Sequence, residues 1–248
     1  MSTATRQRKP RRPGRPPADA ADLRARMLDA AVAAFAERGI AGTTLRAIAK
    51  GAGVTPALLH YYFQSKGRLV EVLLAERVAP FVAVSAAPLL KPLPSPRATL
   101  RLFLETHMRN LAANPWMPRL MTREVLSEGG SLREHMQAQF SAVLSPKTFM
   151  LIVAAQQRGE IRDDLNPMLI GISLISLAVF PFAAAPVWRE VVKSMAQGAP
   201  ELMARIEHIR RERERVQERN GPEHEALIEH TLALFDSALE VRHAKTKR

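Results

Sequence analysis

The chain has 248 residues, 47% of them hydrophobic, 5% aromatic and 24% charged, with a formal net charge of +12. That is enough apolar mass for one large domain or two small ones; it excludes wholesale disorder, leans towards helix and favours a polyanionic partner. There is no cysteine, which excludes disulfides, thiolate nucleophiles, iron–sulfur clusters and cysteine zinc sites.

The first 18 residues carry Arg6, Arg8, Lys9, Arg11, Arg12 and Arg15 and no acid. They read as a low-complexity basic arm, disordered alone, without the hydrophobic stretch of a signal peptide. A second basic tail holds Arg242, Lys245, Lys247 and Arg248, so the body between the tails is close to neutral. A helix opens near Asp22, with Leu23, Met27, Leu28, Ala31, Val32 and Phe35 on one face, and Gly39 caps its end.

Thr43 or Thr44 caps a short second helix whose inner face is Leu45, Ile48 and Ala49. Ala52-Gly53-Val54 turns the chain, and Thr55-Pro56 starts a third helix that ends near Phe63. Two short helices joined this tightly read as a helix-turn-helix, with Gly53 supplying a positive φ and Val54 packing between the helices. Ser65 caps the next helix, whose face is Leu69, Val70, Leu73, Leu74 and Val78.

A proline-rich connection spans 88–96, and helices are expected over about 97–113, 115–127 and 131–158, the last kinked or divided at Pro146. Asn166-Pro167 opens a helix to about Ala184. From Leu165 to Trp188 there is no charged residue over 24 positions, long enough to span a bilayer. Pro181, Pro186, Ser173 and Ser176 argue against that span and for a helix buried on all sides, in a core or a subunit interface. Residues 201–219 are rich in alternating charge and read as an exposed helix. The final helix, about 223–241, turns Leu227, Ile228, Thr231, Leu232, Leu234, Phe235 and Leu239 inward. No strand and no internal repeat is expected.

The segments Gly42-Thr43-Thr44-Leu45-Arg46-Ala47-Ile48-Ala49, Ala52-Gly53-Val54-Thr55-Pro56 and Leu59-His60-Tyr61-Tyr62-Phe63-Gln64-Ser65-Lys66 resemble the tetracycline-repressor (TetR) family of bacterial transcription regulators. Ala30-Ala31 and Phe35-Ala36-Glu37-Arg38-Gly39 match upstream, so the resemblance covers about 50 residues. Two features depart from the family pattern: Gly67-Arg68, and an extra charged stretch over about 186–221. The resemblance implies an all-α chain: a disordered arm over 1–18, a three-helix DNA-binding domain over 19–66 and a ligand-sensing, dimerising domain over 67–248.

It also implies roles, residue by residue. Arg46 would reach a base or phosphate, and Thr44 would contact the DNA backbone. Thr55, Pro56, Ala57, Leu58 and His60 would face the major groove, with Leu58 also readable as core; Tyr61 and Lys66 would meet phosphates. Leu59, Tyr62 and Phe63 read as core. In the arm, Arg12-Pro13-Gly14-Arg15-Pro16 resembles an AT-hook with one added proline, which would lay Arg12 and Arg15 in a minor groove; a solvated basic tail is the plainer alternative. The effector cavity would lie among the middle helices, with Leu104, His107, Met108, Leu111, Trp116, Met117, Leu120, Phe140 and Phe149 as candidates and His107 as polar anchor.

The seven histidines are scattered, with no metal-binding spacing, and there is no nucleophile elbow, phosphate loop or dinucleotide fingerprint. No enzyme activity, cofactor or metal is expected. The expected partners are a double-stranded operator, a small-molecule effector and a second copy of the chain, with no membrane, in the cytoplasm on the nucleoid. An architectural DNA-binding protein without effector, or a protein held on anionic lipid by its basic tails, would share the charge pattern.

Overall fold

The computed structural model describes residues 18–140, 145–216 and 223–241, with side chains described throughout except at 18–20, 137–140, 196, 209–216 and 223. Every regular element among the described residues is helical. Helices α1 (Ala18–Gly42), α2 (Leu45–Ala52) and α3 (Pro56–Phe63) form an N-terminal head. Helix α4 (Lys66–Leu73) runs through a π-helical turn, Leu74–Val78, into α5 (Ala79–Leu90). Then follow α6 (Pro96–Ala113), α7 (Trp116–Met121) with a second π-helical turn over Thr122–Leu126, α8 (Arg133–Phe140) and α9 (Pro146–Gln157). The chain ends with α10 (Pro167–Ala183), α11 (Ala185–Gly198), α12 (Pro200–Val216) and α13 (Glu223–Ala238).

Local chemistry explains most of the starts. Thr44, Thr55, Ser65, Ser95, Ser145 and Asn166 each accept a backbone N–H of the helix they precede. Four of these caps are followed by proline at the first helical position, where its missing N–H is not needed. Gly39, at φ +78°, breaks α1, and one further turn to Gly42 follows the break. Gly53, at φ +68°, turns α2 into α3.

Two apolar cores result. The first runs from Met27, Leu28 and Phe35 through Ile48, Leu59 and Phe63 to Leu73, Phe81 and Met117. The second joins Leu100, Leu104 and Met108 to Ile152, Leu174, Ile228 and Phe235. Arg24 pairs with both carboxylate oxygens of Glu76, and Arg77 with Asp29, so two ion pairs tie α1 to the turn before α5.

The sequence reading needs three corrections. The uncharged helix α10 is not buried on all sides in the single chain: Met168, Leu169, Ile172, Leu177 and Phe180 are exposed along one face. Leu234, expected inward on α13, is 45% exposed. The stretch after Ala184 contains a helix, α11, that charge patterning did not foresee, and its Val187, Trp188, Val192 and Met195 are exposed. No single helix among the described residues is long and apolar enough to cross a membrane; α10 and α11 pass only as a pair, bent by 66°.

Candidate DNA interface and effector cavity

The head presents its reading surface by local capping. Thr55 Oγ1 accepts the Leu58 N–H at 3.2 Å and fixes the first turn of α3. Leu59 and Phe63 lie on the buried side of that helix, which leaves Thr55, Pro56, Ala57, His60 and Tyr61 exposed and Leu58 half-buried between the two. Tyr61 is 79% exposed, the most exposed large hydrophobic side chain of the described residues. Its ring meets Tyr62 edge-on at 5.6 Å, which supports it from below. Thr44 and Arg46 are exposed at the start of α2, beside α3.

A corner behind this surface joins head to body. Thr43 is buried, and its hydroxyl donates to the Gly39 carbonyl at 2.6 Å. Lys66 Nζ donates to the carbonyls of Ile40 at 2.7 Å and Thr43 at 3.0 Å, with Ala41 O at 3.4 Å. Glu124, from the second π-helical turn, is 4% exposed. Its Oε1 accepts the Ile40 N–H at 2.8 Å and its Oε2 the Ser131 N–H at 3.2 Å. A Cβ at position 39 would sit 2.9 Å from Glu124 Oε1, so glycine there serves both the positive φ and the close approach.

A cavity of about 240 Å³ lies between α5, α6, α7 and α10. Its wall is Phe81, Val82, Ser85, His107, Leu111, Met117, Met121, Val125, Leu126, Ile175 and Val179. His107 stacks on Phe103 with centroids 5.8 Å apart, and its Nδ1 is 3.0 Å from Ser85 Oγ. Burial lowers its pKa from 6.5 to about 4, so the ring is neutral at physiological pH. Val125 and Leu126 of the wall flank Glu124 in one π-helical turn, so the cavity and the head share an element.

The family model described as "Bacterial regulatory proteins, tetR family" matches residues 27–73, and that described as "Tetracyclin repressor-like, C-terminal domain" matches residues 96–211. The chain belongs to the TetR family. The match over residues 27–73 takes in α2, α3 and α4 and most of α1, so the head carries the family's N-terminal module. The HTH-type transcriptional regulator TtgR of Pseudomonas putida is 45% identical over 56 residues, 23% of this chain and 27% of that protein. The HTH-type transcriptional repressor KstR2 of Mycobacterium tuberculosis is 47% identical over 51 residues, 21% of this chain and 26% of that protein. The chain thus matches about a quarter of the length of these curated relatives. Among solved structures, a TetR-like regulator from Rhodococcus sp. RHA1 aligns with a TM-score of 0.59 and 21% identity, covering 93% of this chain and 98% of that one. FadR from Bacillus subtilis aligns with a TM-score of 0.56 and 18% identity, covering 88% of this chain and 100% of that one. At these identities the likeness is one of fold.

Within the TetR frame, Thr44, Arg46, Thr55, Pro56, Ala57, His60 and Tyr61 are all exposed on the head. Lys66 is placed differently from the expectation: its ammonium is turned back onto the α1–α2 corner, on the carbonyls of Ile40 and Thr43. Arg12 and Arg15 lie outside the described residues. Of the cavity candidates, His107, Leu111 and Met117 line the wall. Leu104 and Met108 belong instead to the second core and Leu120 to the first. Trp116 stands behind Phe81, its Nε1 donating to Asn114 Oδ1 at 3.2 Å. Phe149 borders a separate, water-sized hollow beside Gly171, and the side chain of Phe140 lies outside the described residues.

The sequence reading missed eight wall residues, including Ser85, Ile175 and Val179, and it missed Glu124. The spacing of Ile175 and Val179, four apart on an uncharged helix, was a usable signal. Nothing in the sequence marks Glu124, because its partners are backbone N–H groups 84 and 7 residues away.

Proposed function

We propose that this regulator is a homodimeric repressor that leaves its operator when a small, largely apolar molecule fills the cavity. One observation carries the reading: the turn that supplies Val125 and Leu126 to the wall also supplies Glu124 to the Ile40 N–H. A ligand pressing on the wall displaces the turn, and Glu124 passes that displacement to the corner that sets α2 and α4. A ligand that prefers the displaced state lowers operator affinity by that preference. KstR2, described as a repressor, supports the sign of regulation, and B. subtilis FadR, solved with stearoyl-CoA, supports only that this fold can hold an acyl chain.

The exposed apolar face of α10, with Leu234 of α13, is the proposed contact with the second copy, and the exposed residues of α11 extend it. Two heads on a two-fold axis meet half-sites about 34–36 Å apart in successive major grooves. A cytoplasmic, DNA-associated location goes with this reading.

Selection of bound DNA from a random pool by the full chain tests the proposal. A two-fold symmetric site is expected, and no enrichment would sink it. Sedimentation of the Leu177→Glu, Phe180→Glu double variant tests the dimer: a monomer with unchanged helix content is expected, whereas a stable dimer refutes the interface. Leu232 is unsuitable for this purpose, because at 5% exposure it lies inside the second core of a single chain.

A further inference from the structure

We infer that the effector of this cavity is an uncharged molecule, and that a carboxylate or ammonium head group does not enter it. The inference rests on the reading of the cavity as the effector site and adds the ligand's chemical class. No residue of the wall is charged at neutral pH, and residues 137–144, which follow the start of α8, hold no charged side chain in sequence.

Of the two polar wall residues, Ser85 is engaged through its hydroxyl and His107 through one ring nitrogen. The Phe81 carbonyl can only accept, so its 2.8 Å contact with Asn110 identifies Nδ2. Nδ2 also lies 2.9 Å from Ser85 Oγ, which therefore accepts from it. Ser85 Oγ also lies 3.0 Å from His107 Nδ1, and the imidazole tautomer decides which of the two donates. The acid closest in sequence to the wall, Glu124, is spent on Ile40 and Ser131. A charged head group would lose its water and find no opposite charge in the wall, which is prohibitive in an apolar site. Size narrows the class further: at the packing of liquids and protein interiors, about 240 Å³ takes roughly 130–180 Å³ of ligand, or about eight to ten carbon atoms.

A matched series tests this on the full chain by calorimetry: 2-octanone, octanoate and octylammonium at pH 7.5. We expect 2-octanone to bind and octylammonium not to. Octanoate enters only as its neutral acid, so with a carboxyl pKa of about 4.5 it binds roughly a thousandfold more weakly at pH 7.5 and about tenfold more tightly at pH 6.5. The wall contributes nothing to that change, since His107, at about 4, does not titrate in this range. Val179→Trp, which fills the cavity, removes 2-octanone binding; Ile175→Phe serves the same purpose should the first variant not fold. Octanoate binding within tenfold of 2-octanone, unaffected by pH, overturns the inference and leaves the cavity as effector site. Retained 2-octanone binding in both folded variants overturns the location. Failure of all three probes to bind the unmodified chain refutes the effector-cavity reading itself.

Discussion

The head and the body handle apolar surface in opposite ways. In the head, Met27, Leu28, Phe35, Ile48, Leu59 and Phe63 are sealed to 1% exposure or less, and Tyr61 is its one strongly exposed large apolar side chain. The body leaves apolar surface open twice: inwardly in the cavity, and outwardly along α10 and α11, where Phe180, Val187 and Trp188 are half-exposed or more. A head whose apolar side chains are buried, in a core that continues into α5 and α7, keeps a fixed shape. A body with unfilled surface retains free energy to be gained from a ligand and from a second copy.

Core substitutions should separate the two regions most sharply. Phe35→Ala removes a fully buried ring from the head and should cost about 3–5 kcal/mol in urea unfolding, with loss of DNA binding. Val179→Ala, at the edge of an existing cavity, deletes atoms that already lack neighbours on one side and should cost about 1 kcal/mol. Equal costs would mean that the body is packed as tightly as the head. Acid should then pick out the body. His107 has a folded pKa near 4 against 6.5 unfolded, so the unfolded chain takes up the proton first. Its contribution is fully present above pH 6.5 and drains away as pH falls towards 4, reaching about 3 kcal/mol. His107→Phe, which preserves stacking on Phe103, should flatten this part of the stability profile.

The same contrast explains what could be read in advance. Helix starts were legible because a capping side chain and a following proline act within three residues, as at Thr55-Pro56 and Asn166-Pro167. The exposed face of α3 was legible because the helix is short and its buried positions, Leu59 and Phe63, fix the opposite face. The cavity was legible only in part. His107 and Leu111 share a wall with residues from three other helices, Met117 of α7 among them, whereas Leu104 and Met108 on the same α6 turn into the other core. Periodicity on one helix does not say which of two cores a face meets. The inward turn of Lys66 was not legible, because the carbonyls that hold it lie at the end of α1 and in the link to α2, 23–26 residues earlier. Helix α11 was missed because its charges lie beside Val187, Trp188 and Val192 rather than apart from them.

The link between the regions can be cut at Glu124. Alanine there leaves the buried Ile40 N–H and the Ser131 N–H without acceptors, a cost of about 1–3 kcal/mol. The expected signature is faster hydrogen exchange at the Ile40 amide, with operator affinity less sensitive to whatever fills the cavity. Unchanged exchange at Ile40 together with unchanged ligand sensitivity would mean that the regions communicate elsewhere.

The smallest effects belong to the reading surface itself, and they differ in kind. Tyr61→Phe removes one hydroxyl from a ring that is 79% exposed and makes no hydrogen bond within the described residues. Stability should not change, while affinity falls by about 0.5–1.5 kcal/mol on every DNA sequence alike, as expected for a phosphate contact. Ala57, exposed in the first turn of α3, should behave otherwise: Ala57→Ser keeps overall affinity similar and shifts the preferred bases. Lys66→Ala separates the reading surface from its support. With its ammonium on the Ile40 and Thr43 carbonyls, the loss should lower the melting temperature and the affinity together and leave base preference intact. If Lys66→Ala weakens binding at an unchanged melting temperature, its ammonium turns outward on DNA, and the corner that joins head to body is held by Glu124 and Thr43 alone.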